Sequence, residues 1–304
     1  VAFLLRESKK WVIPGFHGLP VYDVVNFFLK QVNKVGLNER AAAISFNLIM
    51  ALPAALLFLF SLIPYLPESR SLELQVLVLF KDIAPNSATS LFIKDILDGL
   101  LKQHVGLFSF GFVLLMFYSS NAMMGIIRTF DKSIHENKRF FLHKRWRAIR
   151  LTLILIVLII LSTLLLLVGK IQLIYLLKHV FNMRRAERVP WWNGTRWVII
   201  VALLFYGIAF IYKFAPSVKK RWALLSPGSI LATFLTLATT LAFSYWVNNF
   251  ASYNKVYGSI GTVLIIMILI FFNSLILLIG FELNVSITYL RKEVEERQLL
   301  EKNG

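Results

Sequence analysis

SIGTVLIIMILIFFNSLILLIGFELN, residues 259–284, carries a single charged side chain, Glu282, close to its end. The 22 residues from Ser259 to Gly280 form a helix of about 33 Å at the usual rise, the thickness of a bilayer's hydrocarbon core. The run is far too long for a strand and does not alternate. It reads as a membrane-spanning helix that places a carboxylate at one boundary of the core.

Five other stretches share this character: 41–65, 105–127, 151–177, 197–214 and 227–249. With the last one extended to 258–289, they predict an all-α, polytopic membrane protein of six transmembrane helices. The final helix is long enough to tilt, or to continue past the lipid into water. Pro53 lies inside the first and is expected to kink it. The bulk composition agrees. The chain has 304 residues, 58% of them hydrophobic, with a mean hydropathy of +0.69. A soluble domain holds about 45–50% apolar residues. The opening VAFLLRESKKW is too short and wrongly ordered to read as a cleaved signal peptide.

The net charge of +17 would suggest nucleic acid in a soluble protein. In a membrane protein it reads first as topology, and no nucleic-acid partner is expected. Alternate connections hold 22 Lys and Arg on the side of both termini and 10 on the other. The positive-inside rule then places both termini in the cytoplasm. The domain reading follows: residues 1–40 a cytoplasmic N-terminal segment, 41–290 the membrane domain, 291–304 a cytoplasmic tail. The connection 178–196 is the exception, basic although assigned outside.

Two stretches are amphipathic rather than spanning. In 20–36, Val21, Val25, Phe28, Val32 and Val35 recur at helical spacing, after a Pro20 that suits a helix start. In 87–102, Leu91, Phe92, Ile96, Leu97, Leu100 and Leu101 share a face opposite Lys94, Asp98 and Lys102. Both are expected to lie flat on the membrane interface or to cap the ends of the bundle. No internal repeat stands out; a three-plus-three inverted division would need a counterpart of Pro53 in helix four, and none is there.

Polar groups inside the spans are costly and mark candidate sites. Helix five carries Ser229, Thr233, Thr236, Thr240 and Ser244 on one stripe. The stripe reads either as the lining of a path or as close helix packing through small hydroxyl residues. Asn273 and Asn284 share a face of helix six with Gly280 between them, and Asn121 of helix two is the expected counterpart of Asn273 or the stripe. Glu282 points away from the two amides. Glu39 and Arg40 open helix one on the same side of the membrane, so an Arg40–Glu282 ion pair locking the first helix to the last is expected, the alternative being a Glu282 that reaches headgroup water. The loop HVFNMRRAERVPWWNGTRW, 179–197, sets Arg184, Arg185 and Arg188 beside Trp191 and Trp192. Arg and Trp together suit anionic lipid headgroups, so lipid is the expected partner; an aromatic belt is the plainer reading.

Chemistry that needs a catalytic constellation is poorly supported. The histidines at 17, 104, 135, 143 and 179 show no metal-ligand spacing, and there is no cysteine for a disulfide or a thiolate site. No Walker, dinucleotide or G-x-S-x-G motif is present. No cofactor is expected, and no enzyme.

Four stretches together resemble the YihY/virulence factor BrkB family: ERAAAISFNLIMALPAALLF (39–58), SSNAMMGIIRTFDKSI (119–134), APSVKKRWALLSPGSILAT (215–233) and residues 253–284. The resemblance is most specific at Pro216, Pro227, Gly228, Tyr257, Gly258, Gly280, Glu282 and Asn284. The chain departs from the family's pattern at Phe271-Phe272, where the family usually has tryptophan, and at Phe281, where it has alanine. The resemblance implies a bacterial inner-membrane protein with six spans, of a family described as virulence factors and as candidate transporters of lipidic substrates. The name ribonuclease BN is also attached to that family, but the residues here offer no histidine–aspartate cluster for zinc-dependent hydrolysis. The leading expectation is therefore transport or flipping of a lipid or amphiphile, against a non-transporting scaffold or binding protein and, last, a nuclease.

The charge count is testable because the chain has no native cysteine. Single cysteines at Lys138 and at Lys81 should label with an impermeant thiol reagent from opposite sides of the membrane, Lys138→Cys only from the cytoplasmic side. Labelling of both from one side would overturn the assigned topology.

Overall fold

The computed structural model describes residues 16, 18–65, 69–70, 74, 94–95, 97–101, 104–134, 141–179, 192–218, 221–249 and 252–303. Within these, the side chains at 32–35, 141, 163–179, 192–193, 195–196, 247–249, 252–262 and 301–303 lie outside the description. All regular structure among the described residues is helical: α1 Val21–Val35, α2 Leu37–Leu62 with a 3-10 turn Ile63–Tyr65, α3 Val105–Ser133, α4 Phe141–His179, α5 Trp192–Phe214, α6 Pro227–Asn249 and α7 Ser252–Asn303. Among the described residues, five helical stretches are long and apolar enough to cross a membrane: Leu37–Tyr65, Val105–Ser133, Trp197–Phe214, Pro227–Trp246 and Val263–Leu300. The remaining expected span falls on α4, which carries no charged residue from 151 to 169. This is a polytopic all-α membrane protein.

Each spanning helix packs on the next, α2 on α3, α3 on α4, α4 on α5, α5 on α6 and α6 on α7, and α7 returns to α2. The ring is closed, and α7 also touches α1 and α3. Packing within the ring is uneven. On α7 every residue from Gly280 to Ile287 is buried, whereas none from Val263 to Ile268 is. A helix buried on all sides has become the centre of its bundle. The same gradient runs along α4, α5 and α6: Arg147, Ala148, Leu151 and Thr152 are buried but nothing in 153–162; Ile208, Ala209 and Tyr212 but nothing in 197–207; Gly228, Ser229, Ala232 and Thr233 but nothing in 234–246. Only the α2–α3 pair stays packed along its length among the described residues, through Ala51, Ala54, Phe58 and Ser61 against Gly111 and Leu115. Among the described residues, one end of the bundle is therefore dense and the stretch beyond it, here called splayed, is sparsely buried.

Sequence explains the dense end. Gly228 of α6 and Gly280 of α7 meet backbone to backbone: a Cβ on Gly228 would sit 2.0 Å from the Gly280 carbonyl oxygen. A Cβ on Gly280 would sit 2.6 Å from the Gly228 carbonyl and 2.5 Å from the Tyr212 hydroxyl. Small residues permit this approach, the usual device for packing helices where lipid removes the hydrophobic drive. Phe281, where the resembled family has alanine, is fully buried and stacked on Phe130 at 3.7 Å between ring centroids, with Trp222 edge-on at 5.4 Å.

Two expectations need correction. The buried stripe of α1 is centred on Val24, fully buried with Phe16 and Leu19 against Leu283 and Ile287 of α7, while Val25 is exposed. The helix tilts its apolar face onto α7, so the cap reading describes this side better than the flat one. The boundary at residue 40 also moves, because Gly36, in the left-handed region at φ +63°, is the one residue between α1 and α2, and α2 begins at Leu37. Arg40 thus sits in the first turn of a helix that runs unbroken through Pro53. The tail, whose mixed charge reads as a solvated helix end, does continue α7 to Asn303, with i,i+4 ion pairs such as Arg291–Glu295. The amphipathic stretch 87–102 falls largely outside the described residues; Leu97 and Leu101 within it are buried.

The glycine contact makes a prediction. Gly280→Ala should destabilise the protein by about 1–3 kcal/mol, the usual cost of overpacking. Gly207→Ala, on α5 with nothing within 4 Å of the added Cβ, should be neutral or stabilising. Thermal unfolding of both variants in one detergent checks this; equal stabilities would refute the close-packed crossing.

Candidate functional site

The dense end is built from polar residues near the ends of α2, α3, α4, α5 and α6 and from the middle of α7. Arg40, buried at 6% exposure in the first turn of α2, donates from Nη1 to Glu282 Oε1 at 3.0 Å. Its Nη2 donates to the Thr129 carbonyl oxygen and to Ser133 Oγ, the latter at 2.8 Å. Ser133 Oγ in turn donates to Glu282 Oε1. The pair therefore binds α2, α3 and α7 in one layer, with Glu282 fully buried. Two charges can share such a place because they neutralise one another and most of their polar atoms are bonded. Three atoms in the layer have no partner: Glu282 Oε2, Arg40 Nε and Ser286 Oγ.

A second cluster ties α3 to α4 and to the segment after α5. Lys144 Nζ lies 2.7 Å from Asp131 Oδ2. Asp131 accepts from the Ser217 amide at 3.1 Å and from Ser217 Oγ at 3.3 Å. Arg147, buried, donates to the Ala215 carbonyl at 3.1 Å and to Ser217 Oγ at 3.0 Å. The Lys144 charge and two bonds from Ser217 hold Asp131 half-buried, and the Ala215 carbonyl and Ser217 hydroxyl accept from the buried Arg147.

A third cluster secures the start of α6. The sequence Ser226-Pro-Gly-Ser is a reciprocal cap: the Ser229 amide donates to Ser226 Oγ at 3.2 Å and the Ser226 amide to Ser229 Oγ at 3.1 Å, with Pro227 at the first helical position. The free Gly228 amide goes to Asn284 Oδ1 at 2.9 Å, and Asn284 Nδ2 donates to Ser226 Oγ at 2.9 Å. Asn284 is thus a side-chain cap delivered from a neighbouring helix. Tyr212 OH adds a bond to the Leu277 carbonyl at 2.7 Å, and Trp222 Nε1 one to Thr288 Oγ1 at 2.9 Å.

The candidate path residues separate. Asn284 and Thr233 belong to the dense end, Thr233 Oγ1 donating to the Ser229 carbonyl of its own helix at 2.8 Å. Asn121 does not meet Asn273 or the hydroxyl stripe; its Oδ1 accepts from Arg145 of α4, whose guanidinium also lies 5.6 Å from the centre of the Phe117 ring. The long Arg145 side chain reaches this position from the start of α4 and supplies the amide with a nearer partner. Thr236, Thr240 and Asn273 lie toward the splayed end. Thr240 is exposed although it shares a helical face with buried Ser229 and Thr233. Asn273 is half-buried, and its Oδ1 is buried without a hydrogen-bond partner. The side chains of Arg184, Arg185, Arg188, Trp191 and Trp192 fall outside the described residues. Sequence reading missed Asp131, Lys144, Arg147, Ser217 and Ser226; an acid among eight basic residues of connection 128–150, and serine ahead of Pro-Gly, were the available signals.

A membrane bundle whose one end is closed by layers of buried polar bonds defines the class. The description "Virulence factor BrkB" matches residues 28–303, and the chain belongs to that family. Among relatives, the ribonuclease-like protein YfkH of Bacillus subtilis is 28% identical over 274 residues, 88% of this chain and 98% of that protein. A UPF0761 membrane protein of Pseudoalteromonas translucida is 26% identical over 107 residues, 34% of each chain. One of Xanthomonas campestris is 30% identical over 101 residues, 33% of this chain and 23% of its own. No solved structure matches.

The ion pair is open to a double-mutant cycle. Arg40→Ala alone should cost about 3–5 kcal/mol, because it leaves a buried carboxylate without its partner. Adding Glu282→Ala should cost little more. Chemical unfolding of the four proteins gives the coupling, and strict additivity would deny the interaction.

Proposed function

We propose that this protein moves an anionic lipid or similar amphiphile across the bacterial inner membrane, along the splayed faces of α6 and α7. The observation that carries the reading is Thr240. Its helical face is the one buried at Ser229 and Thr233, so its exposure marks an interior that opens past the Gly228–Gly280 crossing. Thr236 and Asn273 flank that opening, half-buried, and the Asn273 oxygen has an unused acceptor site. A polar wall beside apolar exposed residues such as Leu241 and Ile266 suits a ligand with a polar head and an apolar tail. In this reading the Arg40–Glu282 end faces the cytoplasm and closes the path there. The loop holding Arg184, Arg185, Arg188, Trp191 and Trp192 receives headgroups on the far side, as its composition suits.

Two other readings are weighed against this. A scaffold accounts for Asn121, Asn284 and Arg147, whose bonds are internal, but leaves the exposure of the inward face of α6 without purpose. The ribonuclease-like name of the Bacillus subtilis relative raises nuclease activity. Among the described residues no three His, Asp or Glu side chains gather where they would hold a metal ion, so a metal-dependent nuclease draws no support from them.

Vesicles containing a fluorescent phosphatidylglycerol analogue, with and without the protein, test the proposal by dithionite quenching of the inner-leaflet label. The wild type should accelerate exchange between leaflets, and Thr236→Leu or Asn273→Leu should slow it several-fold while unfolding normally. Exchange no faster than in empty vesicles, or variants as fast as wild type, would turn the assignment to the scaffold.

A further inference from the structure

The closed end contains a titratable group that the path itself does not use. Glu282 is fully buried, and both of its hydrogen bonds, from Arg40 Nη1 and Ser133 Oγ, fall on Oε1. Its Oε2 has no partner. One helical turn on, Ser286 is also fully buried, with an Oγ that has no partner. Arg40 is also held through its Nη2 by the Thr129 carbonyl and Ser133 Oγ, both neutral, so Glu282 is the counter-charge bonded to it.

From this geometry we infer that Glu282 is a proton-binding site, and that proton uptake there releases the closed end of the bundle. The inference rests on the transport reading and adds its coupling. The step is a simple protonation: a proton from water forms an O–H bond at Oε2, and the carboxylate becomes a neutral acid. No existing hydrogen bond to Oε1 has to break for the proton to enter. Ser286 Oγ, at i+4, makes no hydrogen bond to Oε2 in the closed form and is a second polar group that water would satisfy once the layer opens. What changes is charge. A neutral buried pair becomes a neutral acid beside an uncompensated guanidinium, and an unpaired buried charge is strongly unfavourable. The layer regains balance by admitting water, which requires α2 and α3 to part from α7. A proton that binds the parted form better than the closed form shifts the population toward it.

The surrounding groups leave this role to Glu282. Arg40 is the ionisable side chain bonded to it, from α2. From α3 come the neutral Ser133 and the Thr129 carbonyl, with Arg128 and Lys132 exposed; Asp131 is taken by Lys144 and Ser217. From α6 come Ser226 and Gly228, bonded to Asn284. From α1 come apolar Val24 and Phe28, with Asp23 and Lys30 exposed. On α7 the next charges are Arg291, Lys292 and Glu293, about three turns on, of which Arg291 pairs with Glu295.

The cysteine-free chain allows spin labels at Asn38→Cys on α2 and Lys292→Cys on α7, both exposed. Their separation is measured by pulsed electron resonance in phosphatidylglycerol-containing vesicles, as pH is lowered and, separately, as the phosphatidylglycerol is withdrawn. A population with a longer separation should grow on acidification. Glu282→Gln, the uncharged isostere, should hold the longer separation at every pH and lose the pH response. A wild-type distance that ignores pH, or a Glu282→Gln protein that keeps the wild-type response, would overturn the inference. Should Glu282→Gln fail to fold, infrared difference spectra of the wild type decide: a buried carboxyl band must appear on acidification, and its absence ends the proposal. A distance that answers to lipid but not to pH rejects proton coupling and leaves transport standing; no response to either rejects both.

Discussion

A carboxylate and a guanidinium that would each be intolerable alone in the middle of a helical bundle meet where α2, α3 and α7 converge. Everything at that end follows from the need to keep Arg40 and Glu282 together. Arg40 must lie in the first turn of α2, which fixes the short turn at Gly36 and so places α1 against α7. Glu282 must face α2, which turns the opposite side of α7, with Gly280 and Asn284, toward α6. Ser133 and the Thr129 carbonyl must be near, which brings the end of α3 into the same layer. The bilayer makes this constraint strict, because no bulk water is at hand to solvate a displaced charge.

The same constraint gives the bundle its polarity. Bonds among buried polar groups and the glycine crossing are collected at one end, and beyond it few of the described residues of α4 to α7 are buried. Only α2 and α3, joined by phenylalanine contacts such as Phe58 with Phe108 and Phe112, stay together along their length. Such a division, a bonded closure opposite an open polar-lined face, is the arrangement a protein needs if it exposes an interior to one side of a membrane at a time. It also puts the one acid of the chain between Glu187 and Glu293 inside the closure.

Much of this was legible in the sequence, for physical reasons. Long uncharged runs announce spanning helices because the backbone must satisfy itself in lipid, and only a helix does so within one segment. Arg40 and Glu282 stood out as charges at the same boundary, and the structure brings them to 3.0 Å. The glycine and asparagine of α7 were visible on one face, yet not what they touch. Which side chain meets Asn121 depends on the reach of Arg145 across a connection, and no periodicity encodes that. The burial of Val24 instead of Val25 likewise follows from the angle at which α1 meets α7, set by the left-handed Gly36. The Asp131–Lys144–Ser217–Arg147 cluster was hidden because its members come from three separate segments, each ordinary by itself.

The polarity of the bundle is the central claim, and thiol accessibility tests it most directly in a chain without native cysteine. Ser229, Thr233, Thr236 and Thr240 lie along one face of α6, so a cysteine walked through these four positions samples the interior from the closed end to the open one. In membranes, a water-soluble thiol reagent should modify Thr240→Cys readily, Thr236→Cys more slowly, and Ser229→Cys and Thr233→Cys not at all. Uniform protection of all four would mean that the interior is packed throughout or lined by lipid, and would contradict the account.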